Sequence, residues 1–346
     1  MKRCIEIAQN GIGNTYPNPM VGAVLVNNNK IIGEGYHHKY GEAHAEANAI
    51  HAVKDKHLLK DSTLYVNLEP CAHYGNTPPC SELIVKTGIP RVVIGTRDTS
   101  GKVSGKGIEI LKKGGCQVEE GILKDECREI NKRFFTYQEA KRPYVILKWA
   151  QTMDGFIDKL RKPDDPIQPN WITNQLSKRV VHKWRAEEDA ILVGSVTTLK
   201  DNPRLNVREW TGKDPLRLIL DKNFDINDSY TLINDPGSTV VFIDKKAAQK
   251  EFSKNDTNTE IKQIDFSKNV INQVLDYLYE NKISSLIVEG GSFTINQFIN
   301  QDLWDEARVF VGNKFFHEGI KAPDFPKTNA KKIDFEETRL YILRKI

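Results

Sequence analysis

No run of about 18 or more apolar residues occurs in the chain, so it offers no helical membrane span. Cysteine is scarce and odd in number: Cys4, Cys71, Cys80, Cys116 and Cys127 stand at irregular spacing. That pattern argues against a disulfide framework and leaves free thiols in a reduced compartment. Charge of one sign is scarce as well, because 50 basic residues against 46 acidic ones leave +4, spread evenly. Nucleic-acid binders concentrate basic residues and have isoelectric points above about 9. The value here is 8.6 without clusters, which suits a small anionic substrate better than a nucleic acid. Internal repeats and low-complexity tracts are missing too. Residues Met1 to Asn10 contain Lys2, Arg3 and Glu6 but no apolar core or small-residue cleavage site. They read as a helix start, and the expected location is the cytoplasm.

What is present is an ordinary globular composition, 39% hydrophobic and 28% charged, over 346 residues. That length exceeds one usual core and predicts two domains. Short apolar runs alternate with helical patterns, which predicts mostly parallel α/β sheets. In the first half, Val21–Val26, Thr63–Leu68 and Arg91–Gly95 read as strands. Ala43–Val53, Cys80–Thr87, Gly107–Lys113 and one long segment, Leu123 to Ala140, read as helices. Lys141-Arg142-Pro143 marks the boundary, giving domains 1–142 and 143–346. In the second, Tyr144–Trp149, Asp189–Gly194, Leu216–Leu220, Thr239–Ile243 and Ser285–Glu289 read as strands. Asn174–Ala186 and Val270–Glu280 read as helices, Asp158–Asn170 as a loop and Lys245–Asn269 as a polar surface segment.

His44-Ala45-Glu46 opens one helix, and Cys71, preceded by Pro70, is separated by eight residues from Cys80 at another helix start. One imidazole and two thiolates make a three-ligand catalytic zinc site with a fourth position left for water. Helix N-termini help, because their free N–H groups favour thiolate. Glu46 can stand beside the metal without binding it and move protons. The H-x-E…P-C pattern is that of zinc nucleobase deaminases. His73 is an alternative ligand in place of one cysteine.

TYPNPMVGAVLV, GYHHKYGEAHAE and LEPCAHYGNTPPC resemble the deaminase half of the bifunctional riboflavin-biosynthesis deaminase/reductase family, RibD/RibG. The likeness runs over nearly the whole chain, and that family has the same long cysteine interval. It implies a cytidine-deaminase-like three-layer α/β/α domain followed by a dihydrofolate-reductase-like α/β domain. It implies His44, Cys71 and Cys80 as zinc ligands, Glu46 as proton shuttle, and substrate contacts from Asn18, His37 and Asp98. By residue type alone, Asn18 could serve a turn, His38 could replace His37, and Asp98 could cap a helix. Relatives commonly have Lys or Arg where Asn76 stands, so a cation suited to the substrate phosphate is missing there.

In the second half, a strand enters a helix through Glu289-Gly290-Gly291-Ser292, whose N–H groups could cradle a diphosphate. A lone Gly-Gly turn is more often only tight. The resemblance implies that NADPH is the cofactor, held by Ala150, Trp171, Thr197, Asp201 and the turn Gly291, Ser292, Phe293, Thr294, Ile295, Asn296 and Gln297. It implies that Arg185, Leu205, Arg208 and Glu289 line the ribosyl-phosphate. Guanidinium groups suit phosphate, although Arg185 could equally belong to a solvated helix face. Lys148 is a candidate for polarising the opened ribose carbonyl. Two departures are Pro169, where relatives often have Ser, and Thr152-Met153-Asp154-Gly155 in place of S-x-D-G.

The implied reaction removes an amine from 2,5-diamino-6-ribosylamino-4(3H)-pyrimidinone 5′-phosphate and then reduces its ribosyl group. The expected partner is that small molecule, with no nucleic acid, no membrane and a homo-oligomeric state. Rival readings are a single-activity zinc deaminase acting on a nucleotide or tRNA, and a non-catalytic zinc scaffold. A tRNA enzyme would show a basic, aromatic surface, and a scaffold would not require Glu46.

Overall fold

Runs such as GAVLVN and TLYVNL combine β-branched and apolar side chains, which fit a pleated surface covered on both faces. The computed structural model describes residues 1–74, 78–101, 104–162, 164–247, 258–324 and 330–345. They divide into two compact units, Met1–Arg142 and Pro143–Ile346.

In the first unit the elements run α1 (Lys2–Ala8), β1 (Gly22–Asn27), β2 (Lys30–Tyr36), α2 (Ala45–Ala52), β3 (Thr63–Leu68) and α3 (Cys80–Thr87). There follow β4 (Arg91–Thr96), α4 (Lys106–Lys113), β5 (Gln117–Glu120), α5 (Lys124–Ile130) and α6 (Lys132–Ala140). The sheet order is β2-β1-β3-β4-β5. Alternate residues of β1 supply both faces: Ala23 and Leu25 belong to the core that α2, α3 and α4 also fill, while Val24 packs with Cys4 and Ile7 of α1. Helices therefore cover the sheet on both sides. Gly33 and Gly35 let β2 lie against α2, since a Cβ at either would fall 2.5 Å from the Ala49 backbone. That contact carries the first turn of α2 close to the end of β2.

Two features differ from the sequence expectation. Only β3, β4 and β5 are parallel; β1 is antiparallel to both β2 and β3. The β1–β2 reversal comes from the two-residue hairpin Asn28-Asn29, both at positive φ (48° and 61°), a conformation asparagine tolerates. The segment 123–140 is also not one helix. It breaks at Asn131, whose side chain accepts the Met20 N–H at 2.8 Å and donates to the Met20 carbonyl at 2.9 Å. A tertiary partner thus overrides helical continuity.

The second unit runs β6 (Tyr144–Gln151), β7 (Phe156–Asp158), α7 (Gln175–Glu187), β8 (Ala190–Gly194), α8 (Ser195–Asp201) and β9 (Leu216–Leu220). It continues with α9 (Thr231–Asn234), β10 (Thr239–Asp244), β11 (Thr259–Ile264), α10 (Val270–Glu280), β12 (Ser285–Val288) and α11 (Ser292–Asn300). It ends with β13 (Glu306–Gly312), β14 (Ile320–Lys321), β15 (Lys331–Phe335) and β16 (Thr338–Arg344). The nine-stranded sheet has the order β11-β10-β9-β8-β12-β6-β13-β16-β15, and β7 pairs with β14 apart from it. Every pairing from β11 to β13 is parallel, and only β16 runs the other way, antiparallel to both β13 and β15. Val145 and Leu147 pack toward α10 and α11, while Ile146 packs toward α7, so this sheet too has two covered faces. The polar segment 245–269 contains β11, whose alternating exposed residues suit an edge strand. Because β8, β12 and β6 are adjacent and parallel, their carboxyl ends open onto one edge, where ligands of such sheets bind. Among the described residues, no helix is long and apolar enough to cross a membrane.

Replacing Asn131 by Ala would leave the buried Met20 N–H without its partner, while the Met20 carbonyl keeps the Asn67 amide at 3.0 Å. The expected loss is about 1–3 kcal/mol of unfolding free energy by urea titration. An unchanged midpoint and slope would show that Asn131 is not what holds the break.

Candidate active sites

The first site forms where three element ends meet. His44 is the residue before α2, Cys71 follows the end of β3, and Cys80 is the first residue of α3. The His44 Nδ1 lies 3.4 Å from the Cys71 Sγ and 3.5 Å from the Cys80 Sγ. The three donor atoms lie within 4.8 Å of one another. The backbone N–H of Cys80 donates to the Cys71 Sγ at 3.2 Å, so a helix N-terminus stabilises sulfur charge. Hydrogen bonding from Cys80 and from His44 holds the Cys71 thiol down at about 4. Cys80, hydrogen-bonded to Cys71, deeper and beside the Cys71 and Glu46 charges, is shifted the other way, upward. One imidazole nitrogen and two cysteine sulfurs are the donor set of a three-ligand zinc site. His73 is exposed and outside this cluster.

Glu46 lies in the first turn of α2, buried at 3% exposure. Burial, reinforced by the Cys71 charge, pushes its carboxyl up to about 7. A carboxyl in that range both accepts and returns protons near neutrality. His37 is buried and its ring centroid is 5.3 Å from that of His44, whereas His38 is exposed against Tyr36. The structure therefore separates two histidines that are equivalent in sequence. The His37 Nδ1 faces the Ala43 carbonyl at 3.1 Å and must carry the proton, so Nε2 accepts from the Asn18 amide at 3.2 Å. Burial lowers the His37 pKa and keeps the ring neutral. Asp98 is buried, its carboxyl raised by burial, and it accepts the Ser100 N–H at 2.6 Å; it caps no helix. Asn76 lies outside the described residues.

Sequence reading passed over Glu69 as more than a neighbour of Cys71. Its buried carboxylate accepts four backbone N–H groups: Asp98 at 3.3 Å, Gly105 at 3.0 Å, Gly107 at 3.1 Å and Ile108 at 3.3 Å. It thereby ties the loop that carries Asp98 to the segment that carries Cys71.

The second site is a cavity of about 1060 Å³ at the carboxyl ends of β6, β8 and β12. At its floor, Glu289 accepts Arg185 Nε at 3.2 Å and Nη2 at 2.9 Å, and stands 3.4 Å from the Lys148 Nζ. Burial alone would raise the Glu289 carboxyl, but Arg185 and Lys148 hold it at about 2. Burial also lowers the Lys148 pKa, with Glu289 opposing. Arg185 is buried and paired, not on a solvated face. Leu205 and Arg208 line the same wall.

The cofactor candidates surround this floor. Ala150, Trp171, Thr197 and Asp201 line the cavity, and Trp171 is half exposed at its mouth. Gly291, Ser292, Phe293, Thr294 and Gln297 line it where β12 passes into α11. Ile295 and Asn296 do not: Ile295 is in the core, and the Asn296 amide turns back to Ser292 Oγ at 3.4 Å. A Cβ at Gly194 would lie 2.8 Å from Thr294 Oγ1, and one at Gly291 would lie 3.3 Å from Thr197 Oγ1. Glycine thus lets the starts of α8 and α11 close into one cradle of N–H groups, which fits a diphosphate. Asp201 is not free, because Arg161 bonds it at 2.6 Å and also pairs with Asp158 at 2.8 Å. Arg161 fastens the loop before Trp171 to α8, a role hidden inside a stretch that reads only as polar. Pro169 lines the cavity and brings no hydroxyl.

A family model described as the cytidine and deoxycytidylate deaminase zinc-binding region matches residues 1–96, and one described as the RibD C-terminal domain matches residues 143–339. The riboflavin biosynthesis protein RibD of Aquifex aeolicus is 39% identical over 325 residues, covering 94% of this chain and 89% of that protein. Its Escherichia coli counterpart is 30% identical, with 98% and 95% covered. A diaminohydroxyphosphoribosylaminopyrimidine deaminase/5-amino-6-(5-phosphoribosylamino)uracil reductase from Thermotoga maritima superposes with a TM-score of 0.86 at 36% identity, covering 100% and 97% of the two chains. Acinetobacter baumannii RibD gives 0.85 at 30% identity, with 99% and 97% covered.

Zinc content separates ligands from the adjacent carboxylate. Cys71→Ala and Cys80→Ala proteins are expected to purify with little zinc, and Glu46→Gln with the wild-type amount, by elemental analysis. Loss of zinc from the Glu46 variant would make that residue a ligand.

Proposed function

The chain belongs to the RibD family of riboflavin-biosynthesis proteins, and we propose that its two units carry successive steps on one pyrimidine ribosyl-phosphate. The first deaminates 2,5-diamino-6-ribosylamino-4(3H)-pyrimidinone 5′-phosphate. The second reduces the ribosyl group with NADPH, giving 5-amino-6-(5-phosphoribitylamino)uracil. The observation that carries this reading is the convergence of His44 Nδ1 and the Cys71 and Cys80 sulfurs beside the buried Glu46.

In the first unit, zinc held by these three residues supplies the Lewis acidity that makes water a nucleophile near neutral pH. Glu46 takes a proton from the attacking water and returns it to the ring nitrogen, then moves the second to the departing amine, which leaves as ammonia. His37, neutral and bonded to Asn18, presents a fixed polar wall for the pyrimidine. Asp98, tied in place through Glu69, offers an acceptor to its amino groups.

In the second unit, NADPH supplies the hydride. The turn from Gly291 into α11 supports its diphosphate, with Thr197 and Trp171 at the sides. Lys148 donates to the opened carbonyl or imine form of the sugar, and Glu289 keeps its ammonium directed there. Arg208 meets the phosphate. Arg185 is committed to Glu289, so its part is to fix that carboxylate.

Mass spectrometry of the products tests the assignment. Without NADPH, one amine should be exchanged for oxygen; with it, two hydrogens should be added as well. Exchange without reduction would remove the second activity, and no change in either tube would remove both. Glu46→Gln is expected to lose about 10²-fold or more of deamination, with reduction of supplied deaminated intermediate unaltered. A variant that still deaminates normally would overturn the shuttle.

A further inference from the structure

Helix α7 turns Lys178, Val181, His182 and Arg185 toward the cavity, with His182 one turn before Arg185. His182 is 1% exposed. Its Nδ1 lies 3.2 Å from the backbone nitrogen of Arg208. An amide N–H can only donate, so Nδ1 is the unprotonated ring nitrogen and the proton is on Nε2. Burial, with Arg185 and Arg208 nearby, pushes the ring down to about 4. It therefore stays neutral, as the hydrogen bond demands.

The loop that receives this bond has a defined shape. Leu205 is buried and adopts φ 54°, the Asn206 carbonyl accepts Arg185 Nη1 at 3.3 Å, and the Val207 N–H donates to Asp214 at 2.6 Å. Helix α7 thus grips the loop through Arg185 at Asn206 and through His182 at Arg208. The Arg208 guanidinium itself bonds the Asn206 amide oxygen at 3.1 Å and lines the cavity. Lys148, Arg185 and Glu289 together leave one positive charge at the floor, and Arg208 adds a second. The net charge around Arg208 thus favours an anion, and Arg204 lines the same cavity. A charged His182 would add a further cation and release the loop.

We infer that His182 is a positioning residue for substrate phosphate, its Nδ1 fixing the Arg208 backbone so that the guanidinium meets the anion. This rests on the assignment of Arg208 above. The role goes beyond packing because it concerns one acceptor atom at one place on the ring.

The test uses the full-length, zinc-loaded protein and the deaminated ribosyl-phosphate as reductase substrate. Asn puts an acceptor oxygen near the Nδ1 position, Gln puts one near Nε2, and Leu supplies none. His182→Leu and His182→Gln are expected to raise the substrate KM about tenfold, with little change in kcat or in the KM for NADPH. His182→Asn should stay within a few-fold of wild type. Inhibition by ribose 5-phosphate should weaken in the same proportion. Deaminase activity reports on the rest of the chain, and if the Leu protein fails to fold, the Asn and Gln pair decides. Equal KM values for Asn and Gln, or a Leu variant with unaltered KM, would overturn the inference. Arg208→Ala separates the two levels: a raised KM there with an unaltered His182→Leu defeats the positioning role, and an unaltered KM for Arg208→Ala defeats the phosphate assignment beneath it.

Discussion

Backbone N–H groups at the start of a helix and in the loop before it need acceptors, and in the first unit one carboxylate supplies four of them. Glu69 takes the N–H groups of Asp98, Gly105, Gly107 and Ile108. Buried donors of this kind cannot be left without partners except at a cost of about 1–3 kcal/mol each. The carboxylate therefore ties Asp98, Gly105 and the start of α4 to the chain leaving β3, and Pro70 and Cys71 follow directly. Gly107 completes the fit, since a Cβ there would strike the Pro70 carbonyl. The position of Cys71, and with it the gap between the two sulfurs and His44, depends on a residue that touches no metal.

The second unit solves a different problem with similar means. A substrate bearing phosphate must approach a buried lysine without a cluster of cations repelling itself. Glu289 serves by pairing with Arg185 and Lys148 together. It stands where β12 ends, between β8 and β6, so three parallel strands deliver their last residues to one edge. The glycines that follow allow α8 and α11 to begin side by side. A cradle of N–H groups thus arises from strand order and small residues, with the Glu289 ion pairs beneath it.

Much of this was legible because the informative residues are local in sequence. The His-Ala-Glu triplet and Cys80 each sit at a predictable helix start and Cys71 just past a readable strand, and their convergence needs α2 and α3 to be neighbours at the end of β3. The strands of the second unit are apolar enough to read directly. One feature that escaped reading is local, the antiparallel β1–β2 edge made by Asn28 and Asn29 at positive φ. The others depend on contacts distant along the chain, as the break at Asn131 does on a bond to Met20. His37 and His38 differ only in which way β2 turns them. Glu69 lies in a motif read for its cysteines, Arg161 and His182 lie in none, and the importance of all three appears only with the N–H groups, carboxylates and loop they hold.

The central claim is that one imidazole and two thiolates hold zinc beside Glu46 in an otherwise open site. Zinc K-edge X-ray absorption on the purified protein tests this most directly. The account predicts two sulfur scatterers at about 2.3 Å and two light atoms, one imidazole nitrogen and one exchangeable oxygen, at about 2.0–2.1 Å. A shell of three or more sulfurs, or one with no sulfur, would contradict it.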